Sequence, residues 1–424
     1  MLTVLNNSWA LLFGMFLLML GNGMQGTVLG VRGSLEGFDP TVMGVVMAGY
    51  FLGFLGGAQA TPWLVRRVGH VRVFAALASL VSAACIIYAA AVDPIAWTIM
   101  RILVGFCFSG VYVVAESWLN DQTDNETRGQ TLSAYVMVQM MGIVLAQALL
   151  NVADPGGYDL FVIMSVAVSI SFAPILLSVS PAPVYGATRR MPLTQLVRVS
   201  PLGCFGLFML GGIFACLFGM SSVYATEIGL TNIEISIFIG AIYLGGMVLQ
   251  YPIGWLSDRM DRRRLIVFVT AAGVAGCALA YFVEANFGAA LGAAVLIGGS
   301  ANPLYALLVA HTNDFLDPED MASAAGSLTT LTGLGAVGTP VLVGYLMASF
   351  GPSVYLAFLA VLLGSITLYA LYRTTVRPAK SVEETLPYSP ISQASSAVVV
   401  GWAQDIAIEG AQTEEETSVA PGPA

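Results

Sequence analysis

Gly254-Trp255-Leu256-Ser257-Asp258-Arg259-Met260-Asp261-Arg262-Arg263 places five charged side chains within ten residues. On either side the chain runs apolar, over 234–256 before it and 264–284 after it. A bilayer core about 30 Å thick takes roughly 20 mostly apolar residues per helix. The stretch therefore reads as a short charged turn joining two membrane spans. The rest of the chain obeys the same logic. Of its 424 residues 57% are hydrophobic and only 10% charged, against about a quarter charged in a soluble globular domain. Such a chain cannot clothe a water-facing surface of its own size. A soluble enzyme, a nucleic-acid binder and a disulfide scaffold are excluded by composition. An all-α polytopic membrane protein remains.

Charges, Gly/Pro pairs and Asp/Asn clusters divide the chain into twelve apolar segments: 8–30, 40–64, 72–92, 95–119, 129–152, 158–179, 201–226, 234–256, 264–284, 287–312, 321–348 and 352–373. Glu36-Gly37-Phe38-Asp39-Pro40, Asp154-Pro155-Gly156-Gly157 and Phe350-Gly351-Pro352 are turn chemistry between them. The N-terminus lacks the basic region of a cleaved signal, so the first apolar run reads as a retained span. The five cysteines all fall inside apolar spans without paired spacing and read as small apolar residues. Fourteen of the 16 Lys and Arg lie in even-numbered connections or after the last span; Arg32 and Arg101 are the exceptions. Positive residues stay cytoplasmic, so both termini are expected there. The plasma (inner) membrane of a bacterium is the expected location.

The two halves repeat each other. At an offset of 192, Leu52-Gly53 matches Leu244-Gly245, Trp63-Leu64 matches Trp255-Leu256, and Arg67 matches Arg259. At 193, Gly105 matches Gly298, Tyr112 matches Tyr305, Asn120-Asp121 matches Asn313-Asp314, and Gly142 matches Gly335. Six spans plus six in one orientation predict two six-helix bundles, 1–179 and 201–375, joined by a Pro- and Arg-bearing linker over 180–200. A substrate site is then expected near the midplane between the bundles, served by alternating access. The residues 376–424 are acidic and Ser/Glu/Pro-rich, with one short apolar run at Ala397–Ala403, and are expected to be a disordered cytoplasmic tail.

The stretch Gly254–Arg263 also resembles the G-x-L-[SA]-D-R-x-[GD]-R-[RK] signature of the major facilitator superfamily. Gly110–Asn120 and Asn125-Glu126-Thr127-Arg128-Gly129 resemble the YcaD-like branch of that superfamily. The resemblance implies the twelve-helix, two-bundle fold and a conformational latch at Gly254, Asp258, Arg259, Arg262 and Arg263, with the Asp capping a neighbouring helix end and pairing with basic partners. Charge-assisted pairs that break on each cycle suit those residues. The alternative is that the arginines serve only as an inside signal. In the first half Pro62 and Arg66 stand where the signature has Gly and Asp, so the latch is carried over to the second copy alone.

Arg101, Gly105, Phe108, Tyr112 and Glu116 follow steps of four and three and share one helical face. Arg101–Gly105 resembles the family's fourth-helix R-x-x-x-G motif, whose Arg is linked to proton coupling in some members. Arg101 is either a cavity-facing charge or a snorkelling anchor beside Asp93. Glu116 is either a titratable gate or a fixed partner of Arg128 or of the latch arginines. The family lines its cavity with spans one, four, seven and ten. That implies Asn22, Gln25, Ser109, Tyr112, Phe214, Phe218, Ser221, Asn302 and Tyr305 as contacts, with Gln139, Tyr243 and Gln250 beside them; tying helices together is the competing role for each. There is no phosphate loop and no Cys/His cluster, so no cofactor, metal or nucleotide is expected. A secondary-active carrier, working as a monomer on a small neutral, singly charged or amphipathic molecule, is the leading expectation. A gradient-independent facilitator and a non-transporting sensor or scaffold are its rivals, and no catalytic residues are expected.

Overall fold

The computed structural model describes residues 2–123, 127–174, 191–283, 286–376, 380 and 385–419, with the side chains of 2–7 and 410–419 set aside. Helices joined by turns and irregular stretches make up the described residues, with no strand among them: α1 (Leu2–Leu35), α2 (Pro40–Val68), α3 (His70–Ala90), α4 (Pro94–Asp121), α5 (Arg128–Leu149), α6 (Asp159–Ser171), α7 (Leu193–Val199), α8 (Pro201–Glu227), α9 (Asn232–Ser257), α10 (Arg262–Phe282), α11 (Phe287–Asn313), α12 (Pro318–Phe350), α13 (Val354–Val376) and α14 (Ala397–Val419). Eleven of these are long and apolar enough to cross a bilayer. With the shorter apolar α6 they account for the twelve expected spans; the rest of span six, 175–179, lies outside the described residues, as do 180–190 of the linker.

Local chemistry sets the ends. Asp39 accepts from the Thr41 amide at 2.8 Å ahead of Pro40, and Asp93 accepts from the Ile95 and Ala96 amides, both at 2.9 Å, ahead of Pro94. Each carboxylate satisfies amides that the first turn leaves without helical partners. Thr231 and Glu234 form a reciprocal capping box on α9. Asp93 is thus engaged by its own helix and is not the anchor of Arg101.

The sequence repeat is a repeat of helix contacts. A Cβ at Gly53 would collide with the Ile102 carbonyl of α4, and one at Gly105 with the Tyr50 carbonyl of α2. In the second half Gly245 meets the Val295 carbonyl and Gly298 the Ile242 carbonyl. Gly142 lies on the Phe16 carbonyl, and Gly335 on the Phe208 carbonyl. Partner residues as well as glycines keep the offsets of 192 and 193. Small residues at such crossings let backbones approach, which is how helices associate where no hydrophobic drive exists between them.

The two bundles meet at the face opposite the arginine-rich turns, along α1–α8, α2–α12 and α5–α9. There Ser222 donates to the Gly26 carbonyl at 3.2 Å, Ser34 to Glu227 at 3.0 Å, and Asn151 to Ser236 at 2.8 Å. Gly44 lies against the Pro340 carbonyl and Gly344 against the Pro40 carbonyl. That face is closed.

At the arginine-rich face the chain's own C-terminal segment packs against both bundles. α14 touches α4 and α5 on one side and α12 on the other. Ile391, Val399, Val400 and Trp402 are buried to 2% exposure or less. The expected disorder of 376–424 is therefore corrected for 385–408. Averaged composition hid the run Ala397–Ala403, whose apolar side chains leave water between the bundles. Of the seven acids after Lys380, only Asp405 lies within 385–408.

Candidate functional site

A cavity lies between the bundles. The first bundle supplies Asn22, Tyr50, Phe51, Phe54, Tyr112 and Gln139; the second supplies Phe214, Phe218, Tyr243, Asn302, Thr329 and Thr332; Ser392, Gln393 and Ala394 of the C-terminal segment complete the wall. Rings bridge the bundle boundary. Tyr50 and Phe218 have centroids 5.5 Å apart, Phe51 and Phe214 6.3 Å, and Phe214 stacks on Phe218 at 5.7 Å. Phe218 rides on a π-turn, Cys216–Met220, inside α8. Such turns are single local departures from α geometry that re-aim side chains, and they are frequent at functional sites. Asn22, Gln139, Asn302 and Gln393 add amides, and Thr329, Thr332 and Ser392 add hydroxyls, to an otherwise apolar and aromatic wall, a composition suited to orienting a small molecule with a polar edge.

Arg101 is fully buried and faces inward, so the snorkelling reading fails. One guanidinium nitrogen donates to Gln25 Oε1 at 2.8 Å and another reaches Met47 Sδ at 3.2 Å. Its plane stands 5.0 Å from the Tyr50 ring, a cation–π contact. Among the described residues no carboxylate pairs with it. Gln25 and Arg101 thus form a layer behind Tyr50 and are not themselves cavity wall.

Glu116 is equally buried, near the arginine-rich end of α4. Its Oε1 accepts from the Tyr135 hydroxyl at 2.9 Å, and its Oε2 from the Ser396 amide at 2.9 Å, at the start of α14. The expected pairing with Arg128 is corrected: Arg128 reaches Glu409 and Asn120, both at 3.4 Å. Tyr135 lies about two turns along α5 from Arg128, so a hydroxyl faces Glu116 while the guanidinium reaches Asn120 at the end of α4.

A model of the Major Facilitator Superfamily matches residues 11–231 and 203–408. The chain is a member of this superfamily. It is 24% identical over 358 residues to the uncharacterized MFS-type transporter YcaD of Escherichia coli (strain 536 / UPEC), covering 82% of this chain and 91% of that one. An uncharacterized MFS-type transporter of Enterobacter sp. (strain 638) is 25% identical with the same coverage. Among solved structures, the nucleoside transporter NupG superposes with a TM-score of 0.72 at 13% identity, covering 88% of this chain and all of that one. A bacterial homologue of the human lysosomal transporter Spinster, inward-facing and occupied, gives 0.66 at 15% identity over 98% of this chain and 99% of that one. Family and relatives make this a multi-pass membrane transport protein with a small-molecule site in a lipid bilayer.

The superfamily's charged turn, Gly254–Arg263, sits at the arginine-rich face. Arg262 is its hub. It stands 3.6 Å from Asp258, donates to Ser257 at 3.0 Å and the Ala310 carbonyl at 3.3 Å, and makes close bonds to Asp314 and to the Leu386 carbonyl. Burial pushes the Asp314 carboxyl up to about 6, against the opposing pull of Arg262. Arg263 is held by Asp261 at 2.9 Å. Arg259 lies 4.3 Å over the Trp255 ring, as Arg67 lies 5.3 Å over Trp63 in the other half. Asp258 accepts from the Tyr388 amide at 2.8 Å, and Gly254 leaves room for the Tyr388 ring. In the first half Arg66 replaces Asp258 and His70 replaces Arg262, so this hub exists once.

Of the sequence-predicted contacts, Asn22, Tyr112, Phe214, Phe218, Asn302, Gln139 and Tyr243 reach the cavity. Ser109, Tyr305 and Ser221 are buried away from it; Ser221 bonds to Tyr355 at 2.7 Å. Gln250 binds the Tyr388 hydroxyl at 3.0 Å. Sequence reasoning missed Tyr50, Phe51 and Phe54, because α2 was not counted among the lining helices. It also missed Ser392–Ala394, for which the apolar run at Ala397–Ala403 was the available signal.

Proposed function

We propose that this superfamily member is a secondary-active transporter of a bacterial inner membrane, with both termini cytoplasmic, moving a small uncharged or weakly charged amphipathic molecule. The observation that carries this reading is a cavity at the boundary of two duplicated bundles that are sealed on one face only. Rocking the bundles about such a site gives alternating access without new chemistry. The cavity wall offers aromatic faces and four amides but no carboxylate or ammonium, which supports a substrate with a flat apolar body and a hydrogen-bonding edge. Nucleosides, the cargo of the nucleoside transporter NupG, meet that description and belong in the first panel.

Glu116 is the proposed proton-responsive group, since it is a buried carboxylate bridging α4 to its neighbours near the opening. The latch role of Asp258 and Arg262 is proposed on the same footing: their bonds lie where the bundles must part and close.

The test is thermal stabilisation of the purified protein against nucleosides, metabolites and antimicrobials, followed by counterflow of any hit in liposomes. A ligand at 100 times its Kd stabilises by about 2.7 kcal/mol. A stabilising ligand that shows counterflow supports the carrier; a bound ligand without counterflow would favour the sensor.

A further inference from the structure

We propose that the C-terminal segment 385–408 is a built-in plug that holds the cavity shut on the arginine-rich face and must undock before a substrate can pass.

The Arg262 hub, Asp258 and Glu116 are all bonded to the segment. Leu386 meets the hub through both backbone groups: its carbonyl accepts from Arg262, and its amide donates to Asp314 at 3.4 Å. The next contact, Tyr388, gives its amide to Asp258 and its ring to Gly254, while its hydroxyl receives Gln250. Gln393 enters the cavity, where its side-chain amide donates to the Ala301 carbonyl of α11 at 2.7 Å. Ser396 then presents its amide to Glu116, at the positive end of α14, where an anion is favoured. Beyond it Gln404 bonds to Asn313 at 2.8 Å and Glu409 to Arg128.

The segment thus contacts the hub, the buried carboxylate and the cavity in one pass of chain, touching both bundles. Bundles bridged on this face cannot close it, and a substrate cannot cross the space that Gln393 and Ala394 fill. A tail tethered at α13 faces an effective concentration of about millimolar order, so modest contacts suffice to keep it docked. The charge on Glu116 contributes to docking, and its loss weakens the bond to Ser396.

The consequence for transport rests on the carrier reading; the docking itself does not. The experiment reads them separately. In a chain whose five cysteines are replaced, Thr329→Cys places a thiol on the cavity wall. Its labelling by a water-soluble maleimide is timed in detergent for three proteins: the full chain, the chain ended after Lys380, and the full chain carrying Ser396→Pro, which removes the amide that Glu116 accepts. Labelling scales with the undocked fraction, so we expect the shortened chain to react on the order of tenfold faster than the full chain, with Ser396→Pro between them. A synthetic 385–408 peptide at about millimolar concentration should slow the shortened chain again. Equal rates in all three, or no effect of peptide, would overturn the plug. Ser396→Pro alone decides the matter if the shortened chain does not fold. Release of the tail without any gain in counterflow of a bound ligand would overturn the carrier reading and leave the plug standing.

Discussion

The Tyr135 hydroxyl of α5 donates to Oε1 of Glu116 on α4 at 2.9 Å, fixing one oxygen of a carboxylate that is wholly buried in the first bundle. A charge in that position is costly unless its oxygens are bonded. Tyr135 supplies a bond that survives protonation, because a protonated carboxyl still accepts through its carbonyl oxygen. The group can therefore change charge without losing its place.

Glu116→Gln keeps an acceptor for Tyr135 and removes the titration. The variant should fold, with a Tm close to that of the parent. In liposomes it should lose accumulation driven by a pH gradient while retaining downhill exchange of the same labelled ligand. Loss of folding, read as aggregation on size exclusion, would instead mark Glu116 as a packing residue.

The duplicated glycine crossings predict matched penalties. Gly105→Val and Gly298→Val each force a side chain onto a carbonyl of the facing helix, at Tyr50 and Ile242. Overpacking of this kind costs about 1–3 kcal/mol and occasionally more. Both should lower Tm by similar amounts, whereas Gly338→Ala, where nothing lies within 4 Å, should change little. A large loss in one half only would show that the two crossings are not equivalent.

Asp314 gives a pH prediction with a definite sign. Burial raises its folded value from 3.8 to about 6. The folded protein then binds this proton more tightly than the unfolded chain, so the contribution to stability is full below the ordinary value and is lost as pH rises through about 6. Asp314→Asn removes that dependence. The Tm difference between pH 5 and pH 7.5 should shift toward greater stability at pH 5 in the parent relative to the variant. Parallel profiles for the two proteins would refute the assignment.

The fold was legible because its signals are additive along the chain: apolar length, basic asymmetry and a constant repeat offset each survive local errors. The site was less so. Along a membrane helix nearly every face is apolar, so sequence does not separate wall from lipid. On α9, Tyr243 lines the cavity while Tyr251 is 79% exposed. Arg101 shows the same limit, since Gln25 and Tyr50 reach it from other helices and only packing reveals them. The tail failed for a different reason. Its acids and prolines dominate the average, yet docking is decided by Val399, Val400 and Trp402, a few side chains whose burial composition cannot foretell.

Asp258 separates the latch from a mere inside signal. A positive-inside signal needs the arginines and not this carboxylate. Here Asp258 stands 3.6 Å from Arg262 and accepts the Tyr388 amide, so it has one partner in the turn and one in the tail. Asp258→Asn weakens both contacts while preserving shape, and Arg262 keeps Asp314. If Asp258 latches one state of the cycle, turnover in counterflow should fall by roughly tenfold through a shifted equilibrium, with binding in the thermal assay little changed. In the chain ended after Lys380 the tail contact is absent, so any remaining effect of Asp258→Asn belongs to the latch alone. An effect present in the full chain and absent in the shortened one would assign Asp258 to holding the tail; no effect in either would leave the turn as a topological signal.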